Sequence, residues 1–248
     1  MLNYKSHFAF FAFLLTFIIA SSGWAGGNDL QIPDPFFDQD DFKQFSREAG
    51  IALSYAPLAP AEPLGITGFD IGLEVTAANI SDEAGYWKKL FVDGNPPNYL
   101  PIPKLHIQKG LPFNVDLGLI YSQIPDSNIA LIGGEVKWAL LEGSTVTPAA
   151  AIRANYTRLL GVSDIDLETY GVDVSVSKGF AFLTPYAGLG QVWIRTQENS
   201  NLVTLENENL NETKGFVGVK TTFLLFSLVA EAAYANISTY SLRANVSF

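Results

Sequence analysis

The chain has 248 residues, of which 48% are hydrophobic, 13% aromatic and only 16% charged, and it carries a formal charge of −10. That acidity excludes a nucleic-acid partner, since phosphate binding needs a basic surface; the absence of cysteine excludes disulfides, thiolate metal sites, catalytic thiols and a lipid-bearing cysteine. Few charges, many aromatics and 21 glycines point to many short strands in one all-β domain rather than to a helical protein.

The chain opens on "MLNYKSHFAFFAFLLTFIIASSGWAGG", with Lys5 in a short positive region, an apolar run from Phe8 to Ala20, and small residues around Gly23 and Ala25. This pattern predicts a secretory signal peptide over 1–25, cleaved after Ala25. At 13 residues the run falls short of the ~20 that a spanning helix needs. Cleavage would leave 14 basic and 25 acidic side chains, a net −11.

Residues 26–67 have a different character, with seven acids and five prolines. Asp38 is placed to cap a helix running through Ala49, with Phe42, Phe45 and Ala49 on one stripe and Gly50 at the C′ position. The apolar run "GIALSYAPLAP" follows, and its prolines end regular pairing. This acidic, proline-containing segment is expected to serve as a plug, a periplasmic cap or an extra strand.

From Gly68 to the end the pattern has period two. In "FDIGLEVTA" Phe69, Ile71, Leu73 and Val75 alternate with Asp70, Gly72, Glu74 and Thr76; in "FNVDLGLIYS" Phe113, Val115, Leu117, Leu119 and Tyr121 alternate with Asn114, Asp116, Gly118 and Ser122. Further strands are predicted at 104–110, 128–140, 144–157, 165–178, 181–195, 213–224, 227–236 and 239–248. In "AFLTPYAGLGQVWIR" the parity is ambiguous, because Tyr186 and Val192 share one face while Leu189, Trp193 and Arg195 share the other.

The connections sort by length. Those at 110–112, 141–144, 178–180 and 224–226 are tight, 80–103 and 196–212 are long and polar, 158–164 is intermediate, and "PDSN" at 125–128 and "NIS" at 236–238 are short. Placing the tight set at one end puts every other connection at the opposite end, as in an antiparallel up-and-down transmembrane β-barrel of about ten strands, with eight to twelve admissible. The long 80–103 loop has a helical start of its own, with Ser81 as cap, Asp82 and Glu83 in the first turn, and Tyr86, Trp87, Leu90 and Phe91 as an apolar stripe. That helix would rest on the barrel rim or act as a lid.

If the apolar face meets lipid, the other face encloses Asp70, Glu74, Asp116, Glu135, Lys137, Arg153, Asp173, Lys220, Glu231 and Arg243, six acids and four bases. A soluble barrel or sandwich would assign the same residues to the opposite environments. The signal peptide, the aromatic apolar face and strands of about ten residues favour the membrane arrangement, in which the lumen charges form a paired network and leave a mostly occluded bore or a narrow passage.

The final stretch, "YSLRANVSF", alternates Tyr240, Leu242, Ala244, Val246 and Phe248 with polar residues. It resembles the C-terminal assembly signal of Gram-negative outer-membrane β-barrel proteins, an alternating last strand ending in an aromatic residue. "TPYAGLG" at 184–190 is similar to strand segments of small outer-membrane barrels, and "PLAPAEPLGITGFDIGLEV" at 57–75 to the start of the barrel in an uncharacterised proteobacterial group. The resemblance implies an outer-membrane location reached through the periplasm, lipid around the barrel, and the barrel-assembly machinery as a partner. It implies no substrate.

The catalytic inventory is thin. His106, in "KLHIQKG", is the single histidine of the processed chain, so a His-dependent hydrolase would have to use it. No Gly-rich phosphate loop, GxSxG, HExxH or metal-ligand cluster occurs, and no cofactor is expected. The loop "TQENSNLVTLENENLNET" offers Glu198, Glu206, Glu208 and Glu212, carboxylates that suit either solvation or a calcium ion. The leading expectation is passage of a small solute or apolar molecule through or along a narrow charged lumen. The alternatives are a structural or adhesion barrel that displays its long loops, and an outer-membrane hydrolase.

Overall fold

The computed structural model describes residues 37–90, 96–124, 129–200 and 203–248. The predicted signal peptide, the first part of the 26–67 segment, Phe91 and the "PDSN" turn lie outside these residues. Ten strands follow one another: β1 Phe69–Asn79, β2 Tyr99–Leu111, β3 Val115–Gln123, β4 Ala130–Leu141, β5 Ala149–Leu160, β6 Ile165–Ser177, β7 Leu183–Glu198, β8 Glu208–Phe223, β9 Phe226–Tyr234 and β10 Ser238–Ser247. Each pairs antiparallel with the next, and β10 closes on β1, giving a barrel without a free edge.

The alternation places the side chains as the membrane arrangement requires. Leu117 and Leu242 are 42% and 47% exposed on the outside, whereas Glu74 and Arg243 are 2% and 1% exposed inside. A barrel in water would have the reverse.

Several strands extend beyond their predicted ends, and others begin later. β2 starts at Tyr99, not 104, although Pro101 and Pro103 interrupt its pattern; the ladder to β3 begins only at Leu105, so on that flank no donor is missed. β8 starts at Glu208 and β7 runs to Glu198, which shortens the loop between them to 199–207. β5 starts at Ala149 because Ser144 folds the preceding residues into a turn, with Val146 N and Thr147 N donating to its Oγ. β3 starts at Val115, since Phe113 and Asn114 have φ of 64° and 61° and form the tight turn instead.

Helix α1, Gln39–Leu53, lies within the barrel. Asp38 caps it by accepting from Asp41 N at 2.9 Å. The helix does not stop at Ala49, and Gly50 is not a C′ residue: it is a helical position pressed against Ile194, where an added Cβ would fall within 2.7 Å of the Ile194 side chain. Ser54 ends it, with its N and Oγ both donating to Ile51 O. Residues 54–68 then descend irregularly through the lumen. Helix α2, Gly85–Leu90, is shorter than predicted, and Ser81 does not cap it, because the Ser81 N and Oγ donate to Glu48 of α1.

Candidate functional site: an ionised lumen with a resident plug

All ten predicted lumen residues face the interior, nine of them buried and Lys220 half-buried. The barrel wall pairs most of them with one another. Arg153 bridges Glu135 at 2.8 Å and Asp173 at 3.0 Å, Lys137 meets Asp116 at 2.9 Å, and Arg243 pairs with Asp70. Lys104, His106, Gln108 and Lys214 belong to the same interior but were missed, although their even-numbered parity within the predicted strands was the available signal. Lys104 donates to Glu74 at 2.7 Å, and Gln108 to Glu135 at 2.7 Å.

The plug fastens to these walls along its whole course. Gln39 meets Glu208, Arg47 pairs with Glu212 at 2.7 Å, and Lys214 donates to Tyr55 O at 2.8 Å, so α1 tracks β8 inward from the long-loop end. Phe42, Phe45 and Ala49 pack against Val192 and Ile194 of β7, Ile165 and Leu167 of β6, and Trp87 and Leu90 of α2. This explains the ambiguous parity of β7: its inner face is apolar at one end because a helix, not water, covers it.

Below the helix, the lumen charges hold backbone groups of the descending strap. Glu231 accepts from Leu58 N at 3.0 Å, Asp116 accepts from Leu64 N at 3.1 Å, and Lys137 donates to Glu62 O at 2.8 Å. Gly118 leaves room for the strap, since a Cβ there would lie 2.7 Å from the Tyr55 hydroxyl.

Glu48 is the joint between plug and outer loop. Its carboxylate, 3% exposed, accepts from Ser81 N at 3.0 Å, Ser81 Oγ at 2.6 Å, Tyr86 OH at 3.0 Å and Trp87 Nε1 at 2.6 Å. Burial pushes the Tyr86 hydroxyl up from its ordinary pKa, and the neighbouring Glu48 charge adds to the rise, which keeps that donor protonated. Nothing in the sequence pattern marked Glu48, because its partners are set by the fold alone.

His106 is fully buried between Tyr55 OH at 2.8 Å and Glu74 Oε2 at 3.0 Å, and it does not line the lumen cavity of about 160 Å³ near the short-turn end. Its setting is a wall-to-plug hydrogen-bond chain. Among the described residues, no three His, Asp or Glu side chains converge on a metal position. Glu208 and Glu212 of the acidic loop sequence are tied to α1 instead.

On the outside, Tyr99, Tyr121, Tyr234 and Tyr240 are exposed toward the long-loop end, and Trp138, Phe180, Phe182, Phe223 and Phe226 toward the short-turn end. Two aromatic girdles flanking an aliphatic band are the signature of a barrel crossing a bilayer. Of the C-terminal stretch, Tyr240, Leu242 and Phe248 are exposed on this surface and Ala244 and Val246 partly so; the Phe248 ring meets that of Phe69 in a tilted contact at 5.3 Å across the closing seam.

No family model and no curated protein matches the chain. Among solved structures, it is similar to the outer-membrane protein OprG of Pseudomonas aeruginosa, with 10% identity over 77% of this chain and 99% of that one at a TM-score of 0.37. It is also similar to the N-terminal β-barrel domain of Pseudomonas aeruginosa OprF, with 13% identity over 74% and 99% of the two chains and a TM-score of 0.32. A variant of the outer-membrane protein OmpT of Vibrio cholerae shares 11% identity over 60% of this chain and 54% of that one, with a TM-score of 0.33, so this chain spans about half of its length. A closed sheet of ten strands with a greasy, girdled exterior, an ionised interior and tight turns at the end that holds Phe69 and Phe248 is a transmembrane β-barrel.

Proposed function

We propose that the protein is a gated outer-membrane passage whose gate is its own N-terminal segment. The observation that carries this reading is that residues 39–68 occupy the lumen from one mouth to the other while the wall charges pair wall to wall. Removing the segment would leave those pairs intact and the lower bore polar, so the vacated barrel would hold water and admit a small solute. Lipid surrounds the apolar band, the terminal stretch Tyr240 to Phe248 engages the barrel-assembly machinery, and no step of catalysis is involved.

Planar-bilayer recording tests this. The whole chain is expected to be electrically silent, and a variant lacking 26–67 to show steady conductance. A variant that migrates as a folded barrel yet passes neither ions nor solute would refute the gate. The filling of the lumen by residues 39–68 also favours a second reading, a structural or adhesion barrel displaying its long loops. Under that reading the shortened barrel stays closed, and deleting 80–98 and 199–207 abolishes surface binding.

A further inference from the structure

Lys220 sits on the inner face of β8, opposite Thr184 in the β7 ladder, and lines the cavity of about 160 Å³ near the short-turn end of the lumen. It is an exception among the inward-facing cations. Lys104, Lys137, Arg153 and Arg243 each meet a carboxylate of the wall, and Lys214 donates to Ser54 and Tyr55 of the plug. Lys220 makes no hydrogen bond or ion pair among the described residues. Asp70 and Glu62 line the same cavity without pairing with it, Asp70 being taken by Arg243.

Two other polar lining residues are already engaged: Arg243 pairs with Asp70 and donates to Gln108 Oε1, and the Asn245 amide donates to Asp70 and to Ser247 Oγ. Thr184 and Thr222 line the same wall, the Thr222 hydroxyl sharing a hydrogen bond of 3.1 Å with Ser227 Oγ. A half-buried ammonium with no carboxylate partner favours an anion of matching size beside it, through a charge-assisted hydrogen bond. A cavity of about 150 Å³ is known to hold a benzene-sized molecule, which sets the occupant at roughly six heavy atoms.

We propose that this cavity binds a small oxyanion, a phosphate or a short-chain carboxylate, seated on Lys220 with the Thr184 and Thr222 hydroxyls donating to it. The other face of the cavity is the strap from Leu58 to Leu64, so the ligand touches wall and plug together. The site stands whether or not the plug gates passage.

Calorimetric titration of the full chain, folded in micelles at low ionic strength, with inorganic phosphate and separately with acetate is the test. Saturable binding of one or both is expected, and the one that binds identifies the class. Lys220→Gln should weaken binding at least tenfold and Lys220→Arg should retain it. Lys109→Gln, which removes a cation that donates to Ile66 O and Gly68 O outside the cavity, should leave binding unchanged. Should Lys220→Gln fail to migrate as a folded barrel, Thr222→Val serves in its place, with a severalfold loss expected. No saturable heat with either anion, or equal binding by the wild type and the Lys220→Gln or Thr222→Val variant, would overturn the assignment.

Discussion

Glu48 shows how a single side chain can join two elements that are remote in sequence. Four donors from residues 81–87 converge on one buried carboxylate, and a carboxylate can be held away from water only when its lone pairs are filled in this way. Removing it takes away the carboxylate to which the Trp87 indole, the Tyr86 hydroxyl and the Ser81 amide and hydroxyl donate. Glu48→Ala is therefore expected to lower the free energy of local opening of α1 by about 3 kcal/mol, a drop of roughly a hundredfold in hydrogen-exchange protection of its amides. Unchanged protection would mean that the apolar stripe alone holds the helix. At this scale the sequence was partly legible: period-two parity marked Glu74, Arg153 and Arg243 as interior, and the same rule would have found Lys104 and His106. It had no means of finding Glu48, a helical residue whose partners are fixed by tertiary contact.

Strands were the legible elements, because a two-residue period survives in local sequence, and all ten were predicted. Their ends were less so: β2 crosses Pro101 and Pro103, and the acidic run around Glu206 and Glu208 reads as loop until Gln39 is known to lie beside it. α1 illustrates the same limit, since a glycine after an apolar stripe reads as a stop signal, whereas Gly50 is small because Ile194 occupies the space a Cβ would need. Helix propensity alone would make Gly50→Ala stabilising by about 1 kcal/mol. Overpacking against β7 is expected to outweigh that and destabilise the helix–barrel contact by about 1–3 kcal/mol, lowering the midpoint of denaturant unfolding followed by tryptophan fluorescence. A raised midpoint would show that β7 gives way and that the close approach is incidental.

For the molecule as a whole, the direction of the plug follows from the order of the connections. Every tight turn lies at the same end as Phe69 and Phe248, and α1 begins at the opposite end, beside the loop between β7 and β8. With tight turns in the periplasm, as outer-membrane barrels have them, the first turn of α1 opens at the cell surface, and the strap carries the chain inward through the lumen before β1 starts. A periplasmic cap would put that first turn on the other side. The absence of native cysteine makes the distinction measurable with single substitutions. Asp40 is exposed in the first turn of α1, and Val146 is 84% exposed in the tight turn between β4 and β5. A membrane-impermeant maleimide should therefore label Asp40→Cys on intact cells, and Val146→Cys only after the outer membrane is permeabilised. The opposite pattern would invert the barrel, turn the mouth guarded by Glu48 toward the periplasm, and place the Lys220 cavity at the cell surface.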